Sequence, residues 1–94
     1  MNEKFIRKIY YYKNFYLEFF NSLNTDVQLK LNWTLQLISS LERVPEKYFK
    51  YLKDSNGIFE IRVEYASNTY RVFCFFDEGN IVILMNGIQK KTQK

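Results

Sequence analysis

The sequence holds no histidine, one cysteine, one proline and three glycines in 94 residues. With no imidazole and a single thiol, a Cys/His zinc site, a Ser-His-Asp triad and a Cys-His nucleophile pair are all excluded. Any chemistry must draw on Lys, Arg, Tyr, Asp or Glu, with no cofactor or metal expected. Cys74 has no partner for an internal disulfide, and inside Val72-Phe73-Cys74-Phe75-Phe76 it reads as a small core residue. So few proline and glycine residues leave little room for a flexible linker, and the length suits one domain, 1–94, with one core. No apolar run approaches a membrane span, and Met1–Lys8 carries charges where a signal peptide needs an apolar stretch. The expected location is cytoplasmic.

What is present is aromatic and basic. Fourteen Lys and Arg against ten Asp and Glu leave a formal charge of +4, which favours polyanionic partners without choosing between RNA, DNA and an acidic protein. Tyr48, Phe49 and Tyr51 are interleaved with Lys47, Lys50 and Lys53, a pattern seen where bases stack and phosphates are held, and also where rings close the edge of a core.

Hydrophobic periodicity predicts the order β-α-α-β-β-β. Phe5–Tyr12 is rich in strand-formers. Asn14 stands ready to cap a short helix with Phe15, Phe19 and Leu23 on one stripe. A second helix is expected from Asp26 to Glu42, opened by a Thr25/Gln28 capping box and ended ahead of Pro45. Its stripe comprises Val27, Leu31, Leu35 and Ile38, widened by Trp33 and Leu37. The segment Glu46–Lys53 suggests a helical turn, and Asp54-Ser55-Asn56-Gly57 a chain reversal. Ile58–Tyr65, Tyr70–Phe76 and Ile81–Asn86 then read as three strands of an antiparallel meander.

Two apolar helices need one face of that sheet. If Tyr70, Val72, Cys74 and Phe76 turn to the helices, then Arg71, Phe73 and Phe75 turn away, together with Glu60, Arg62 and Glu64 of the preceding strand. Two arginines and two exposed phenylalanines on an uncovered face call for a partner, a missing segment or a ligand. An ion pair of Arg62 with Glu60 or Glu64, of structural use only, is the alternative.

In this order, Gly57-Ile58-Phe59-Glu60-Ile61-Arg62-Val63, Tyr70-Arg71-Val72-Phe73 and Asn86-Gly87-Ile88-Gln89-Lys90-Lys91-Thr92-Gln93-Lys94 resemble the RelE/ParE toxin superfamily. The similarity is nearest to its phage-derived, HigB-like branch and spans essentially the whole chain. It implies a RelE-like α+β fold with two N-terminal helices on one face of an antiparallel sheet. It also implies a toxin of a type II toxin-antitoxin system that cuts mRNA on the ribosome without a metal, held in check by a helix-turn-helix, HigA-like antitoxin in a hetero-oligomer. The positions matching the family's catalytic elements are Arg62, Arg71, Lys90 and Lys91. Lys50, Lys53 and Lys94 are the further cations expected to hold RNA. Family members with ribonuclease activity often bring a helix after the Lys-Lys-Thr-Gln stretch, and the domain expected here lacks or does not show one.

The chemistry is compatible with these residues, because RNA carries its own nucleophile in the 2′-hydroxyl and the protein need supply only geometry and charge. Arg71 is the first choice for the phosphate, since a guanidinium can hold two oxygens at once. Two other functions fit the same fold: a non-enzymatic inhibitor of DNA gyrase in the manner of ParE, and an inert module that only binds an antitoxin.

Overall fold

The structure, a computed structural model, describes residues 6–91, and of Lys91 the backbone only. Strand β1 (Lys8–Tyr11) is followed by helices α1 (Phe15–Asn21) and α2 (Thr25–Ser40). Four strands complete the chain: β2 (Phe49–Tyr51), β3 (Ile58–Tyr65), β4 (Asn68–Asp77) and β5 (Ile81–Lys91). They form one sheet in the order β1-β5-β4-β3-β2. The α+β class and the helices preceding the meander are as expected. The sheet itself is mixed, because β1 runs parallel to β5, with Lys8 opposite Ile81 and Tyr11 opposite Leu84. Parallel pairing needs a long crossover, and two helices and three strands intervene between these partners.

The core lies between the helices and one sheet face. Val27, Leu31 and Ile38 of α2 meet Ile61, Val63, Val72, Cys74, Val82 and Leu84, all essentially inaccessible. Fully burying one such side chain contributes about 1.5–3 kcal/mol, and the aliphatic residues fall where the period-two and period-3.6 patterns place them. On α1 the stripe is rotated from expectation. Tyr16 is buried while Phe15 stands exposed, and Phe19, Phe20 and Leu23 complete the packed side. Trp33, expected to widen the apolar stripe of α2, is also exposed.

Both ends of α2 depart from the expected chemistry. Its cap is Asn24, whose side chain accepts from the Val27 N–H at 3.0 Å, and Gln28 Nε2 instead donates to Phe20 O at 2.7 Å, tying α2 to α1. The helix stops at Ser40, before Glu42. The hydroxyls of Ser39 and Ser40 both donate back to Gln36 O, and the Arg7 guanidinium takes the terminal carbonyls of Ile38, Leu41 and Glu42 at 2.9, 2.6 and 2.9 Å. One side chain beside β1 therefore closes the far end of α2.

The expected helical turn over Glu46–Lys53 is confined to residues 46–48, and Phe49–Tyr51 is a strand. Ring packing decides this: Phe49 stacks on Phe59 with centroids 4.9 Å apart and meets Phe76 edge-on at 5.9 Å. The last strand also outruns expectation, continuing past Asn86 to Lys91. The Asn86-Gly87 pair is mid-strand. A Cβ at Gly87 would lie 2.7 Å from Cγ of Phe19 and closer still to two other ring atoms, so the missing side chain is what lets α1 sit down on β5.

Candidate active site on the open sheet face

Strand register builds this face row by row. In the middle row Arg62 of β3 stands opposite Arg71 of β4, and Arg71 opposite Ile88 of β5. Because the Arg62 N–H is given to Tyr48 O on the β2 side, at 2.9 Å, the Arg62–Arg71 pair is of the non-hydrogen-bonded kind, whose Cα atoms approach to about 4.5 Å. Side chains are closest in such pairs. Two guanidinium groups thus leave the sheet side by side, where mutual repulsion alone would separate them.

Glu60 holds them together. It occupies the next row, opposite Phe73, and is 4 % exposed although it belongs to the expected polar face. Its Oε2 accepts from Arg62 Nε at 3.2 Å and lies 3.5 Å from Arg71 Nε, an ion-pair distance without hydrogen-bond geometry. Both guanidiniums keep about a third or a quarter of their side-chain surface exposed, 34 % for Arg62 and 25 % for Arg71. The carboxylate engages the Nε side of each, and among the described residues no other acceptor meets either group. The triad keeps one net positive charge. Of the two carboxylates that sequence could pair with Arg62, the structure selects Glu60; Glu64 remains exposed.

Lys90 lies in the adjoining row, Glu64–Thr69–Lys90. A β-bulge puts it there. Between the Val72–Gly87 and Cys74–Leu84 pairs, β5 spends two residues, Met85 and Asn86, against Phe73 alone. Val82 and Leu84 face the helices before the bulge, and in uninterrupted alternation Ile88 and Lys90 would share that side. The extra residue reverses the parity, so Ile88 and Lys90 stand instead with Arg71 and Thr69.

The remaining expected site residues are scattered. The Lys91 backbone pairs with Asn68, and its side chain lies outside the described residues, as does all of Lys94. Lys50 stands opposite Glu60 on the edge strand β2, on this same face, whereas Lys53 lies in the turn beyond β2 and off the sheet. Phe73 and Phe75, expected to be exposed, are half-buried. Sequence reasoning missed the centrality of Glu60. The signal was there in the Glu-x-Arg spacing, which puts both residues on one side of a strand, but its burial depends on β4.

Among the described residues no group of His, Cys, Asp and Glu could hold a metal ion. Cys74 is no nucleophile at neutral pH, since burial pushes its thiol up to about 12 and its Sγ lies 3.7 Å from Phe59 O. A cavity of about 690 Å³ lies near the other edge of the sheet, between β1 and α2, and includes none of Glu60, Arg62, Arg71 and Lys90. It is apart from the basic face. No helix among the described residues is long and apolar enough to cross a membrane.

Residues 18–94 match the family described as Phage derived protein Gp49-like (DUF891). The chain belongs to this Gp49-like family. The family is related to RelE-type toxins, and the match takes in α2 and β2–β5, hence every residue of the basic face, while β1 falls outside it. No curated protein matches the Gp49-like chain.

Proposed function

We propose that this Gp49-like protein is the toxin of a type II toxin-antitoxin system, of the HigB-like kind, and acts as a ribosome-dependent mRNA endoribonuclease. The observation carrying this reading is the close Arg62–Arg71 pair on the sheet face opposite the helices. In the reaction the substrate 2′-oxygen forms a bond to phosphorus while the bond from phosphorus to the 5′-oxygen breaks. The products are a 2′,3′-cyclic phosphate and a 5′-hydroxyl. The hydroxyl proton leaves the 2′-oxygen, and the 5′-oxygen takes one up.

Charge builds on the non-bridging oxygens, and Arg71 and Arg62 are the groups to meet it. Glu60 is a positioning residue: by engaging the Nε side it leaves the Nη atoms turned to solvent and fixed in direction. Lys90, one row along, supplies an ammonium for the leaving side or a flanking phosphate. The ribosome contributes the bent mRNA. The expected partner is a helix-turn-helix, HigA-like antitoxin whose binding covers the basic face or the helix surface.

Expression without the antitoxin, with mRNA 5′ ends mapped, tests the reading. Growth arrest with ribosome-phased cleavage is expected, falling about 10²–10³-fold in Arg71→Ala. Arrest without such cleavage refutes it. The buried Glu60 favours a second reading, in which the triad is a structural ion pair in an inert antitoxin-binding module. An antitoxin complex that forms tightly around a non-toxic wild-type chain would select that one.

A further inference from the structure

A notch lies at the outer edge of β3, where β2 has not yet begun to pair. Its lining is Lys30 and Thr34 of α2, Lys47 and Tyr48 ahead of β2, and Arg62, Val63 and Glu64 of β3, around a cavity of about 160 Å³. Of its three cations Arg62 is already paired with Glu60, which leaves Lys30 and Lys47 against the Glu64 carboxylate, an excess suited to an anion. Lys30 Nζ donates to Glu64 O at 2.6 Å, which fixes one of its three N–H donors and leaves two. The alternation that sends the Arg62 N–H to Tyr48 O turns the Glu64 N–H to the same edge, past the end of the β2 ladder. The floor is the buried Thr34, whose hydroxyl donates to Lys30 O.

Aromatic rings flank this notch. Lys47 Nζ lies 5.0 Å from the centroid of the Tyr48 ring, and Trp33 meets that ring edge-on at 5.6 Å while remaining 49 % exposed. An exposed indole next to a cationic notch is what a base and its phosphate would use together. Arg62 connects the two places, since its Nε is held by Glu60 on the open face and the same residue lines the notch.

We infer that the notch is a second phosphate subsite, which takes the backbone of a single-stranded RNA one or a few nucleotides away from the phosphate held by Arg71, with the neighbouring base on Trp33. The inference rests on the proposed function only for the location of the scissile phosphate. The subsite explains why lysines lie on α2 and before β2, away from the reacting centre: they set the direction in which the strand leaves the open face.

The probe is a short, 2′-O-methylated single-stranded RNA, which cannot be cut, titrated by fluorescence anisotropy over a series of salt concentrations. In Lys30→Gln/Lys47→Gln the slope of log affinity against log salt is expected to fall by about 0.7 for each phosphate that the variant no longer neutralises. Trp33→Ala is expected to weaken binding roughly tenfold. The charge-matched control Lys8→Gln/Lys13→Gln, at the β1 edge, is expected to keep the wild-type slope. In the wild type the Val63 and Glu64 amide resonances should move when RNA is added, a readout that does not depend on any variant folding. An unchanged slope in the notch variant, an equal fall in the control, or amides that stay still would each overturn the subsite. So would a polyglutamate peptide that binds as tightly as RNA with the same dependence on Lys30 and Lys47. Notch-dependent RNA binding by a chain that cuts no mRNA would uphold the subsite and sink the ribonuclease reading; cleavage indifferent to Lys30 and Lys47 would do the reverse.

Discussion

Replacing Glu60 by Gln separates the two consequences of the shared carboxylate. The charge holding Arg62 and Arg71 at 3.2 and 3.5 Å disappears, and the cross-strand register keeps the two cations neighbours. Two unit charges about 5 Å apart repel by about 3 kcal/mol at an effective dielectric of about 20. Removing one partner of a fully buried pair costs about 3–5 kcal/mol. Both guanidiniums here are partly exposed and recover some hydration, so the expected loss is about 2–3 kcal/mol. Urea unfolding read by linear extrapolation measures it as a lower midpoint at unchanged slope. Anion binding should move the opposite way, because the face gains one positive charge: phosphate or RNA binds Glu60→Gln more tightly, and added phosphate restores part of its stability by mass action. A variant as stable as wild type, or one not rescued by phosphate, would show that the carboxylate is not what keeps the arginines together.

Gly87→Ala should cost about 1–3 kcal/mol in the same assay, since the new methyl overlaps the Phe19 ring, and Phe19→Leu should recover part of it by making room. Arg7→Ala should destabilise by about 2–3 kcal/mol through loss of three charge-assisted bonds to the end of α2, with amide exchange faster over residues 36–40 than over residues 25–29; uniform acceleration would count against a local capping role. The Cys74 thiol should resist a disulfide reagent in the native state. Its pKa is raised from the ordinary 9.0 to about 12 by burial, so the folded state keeps a proton that the unfolded state gives up. Its contribution to stability is therefore whole below about pH 9 and lost as pH rises towards 12, at about 1.4 kcal/mol per pH unit; Cys74→Ala should flatten that part of the profile. Ala66→Asn should add about 1 kcal/mol, because Ala66 and Ser67 both sit at positive φ, 50° and 68°, in the β3–β4 turn, where Asn is better tolerated than Ala; no gain in melting temperature would argue against strain at that turn.

The elements best read from sequence were those whose pattern is local. Period-two alternation over Ile58–Tyr65 and Tyr70–Phe76 put Arg62 and Arg71 on one side of the sheet, and the register agrees. Misreadings fell where a partner distant in sequence decides the outcome. Phe49–Tyr51 is a strand because Phe59 and Phe76 receive Phe49, α2 ends early where Arg7 meets its carbonyls, and Asn24 displaces Thr25 as cap while Gln28 turns to Phe20.

Sequence by itself determined which chemistry is open to the protein, since a chain without histidine and with one core cysteine must work through guanidinium, ammonium, phenol or carboxylate groups. It also pointed to the two arginines sharing a side, because the apolar alternation of each strand marks which of its faces meets the core. Tertiary structure decided what those arginines can do. Burial of Glu60 between them depends on β4 lying against β3, and the side on which Lys90 emerges depends on one extra residue of β5 opposite Phe73. Burial and register are relations between segments, and no single segment carries them in its own pattern.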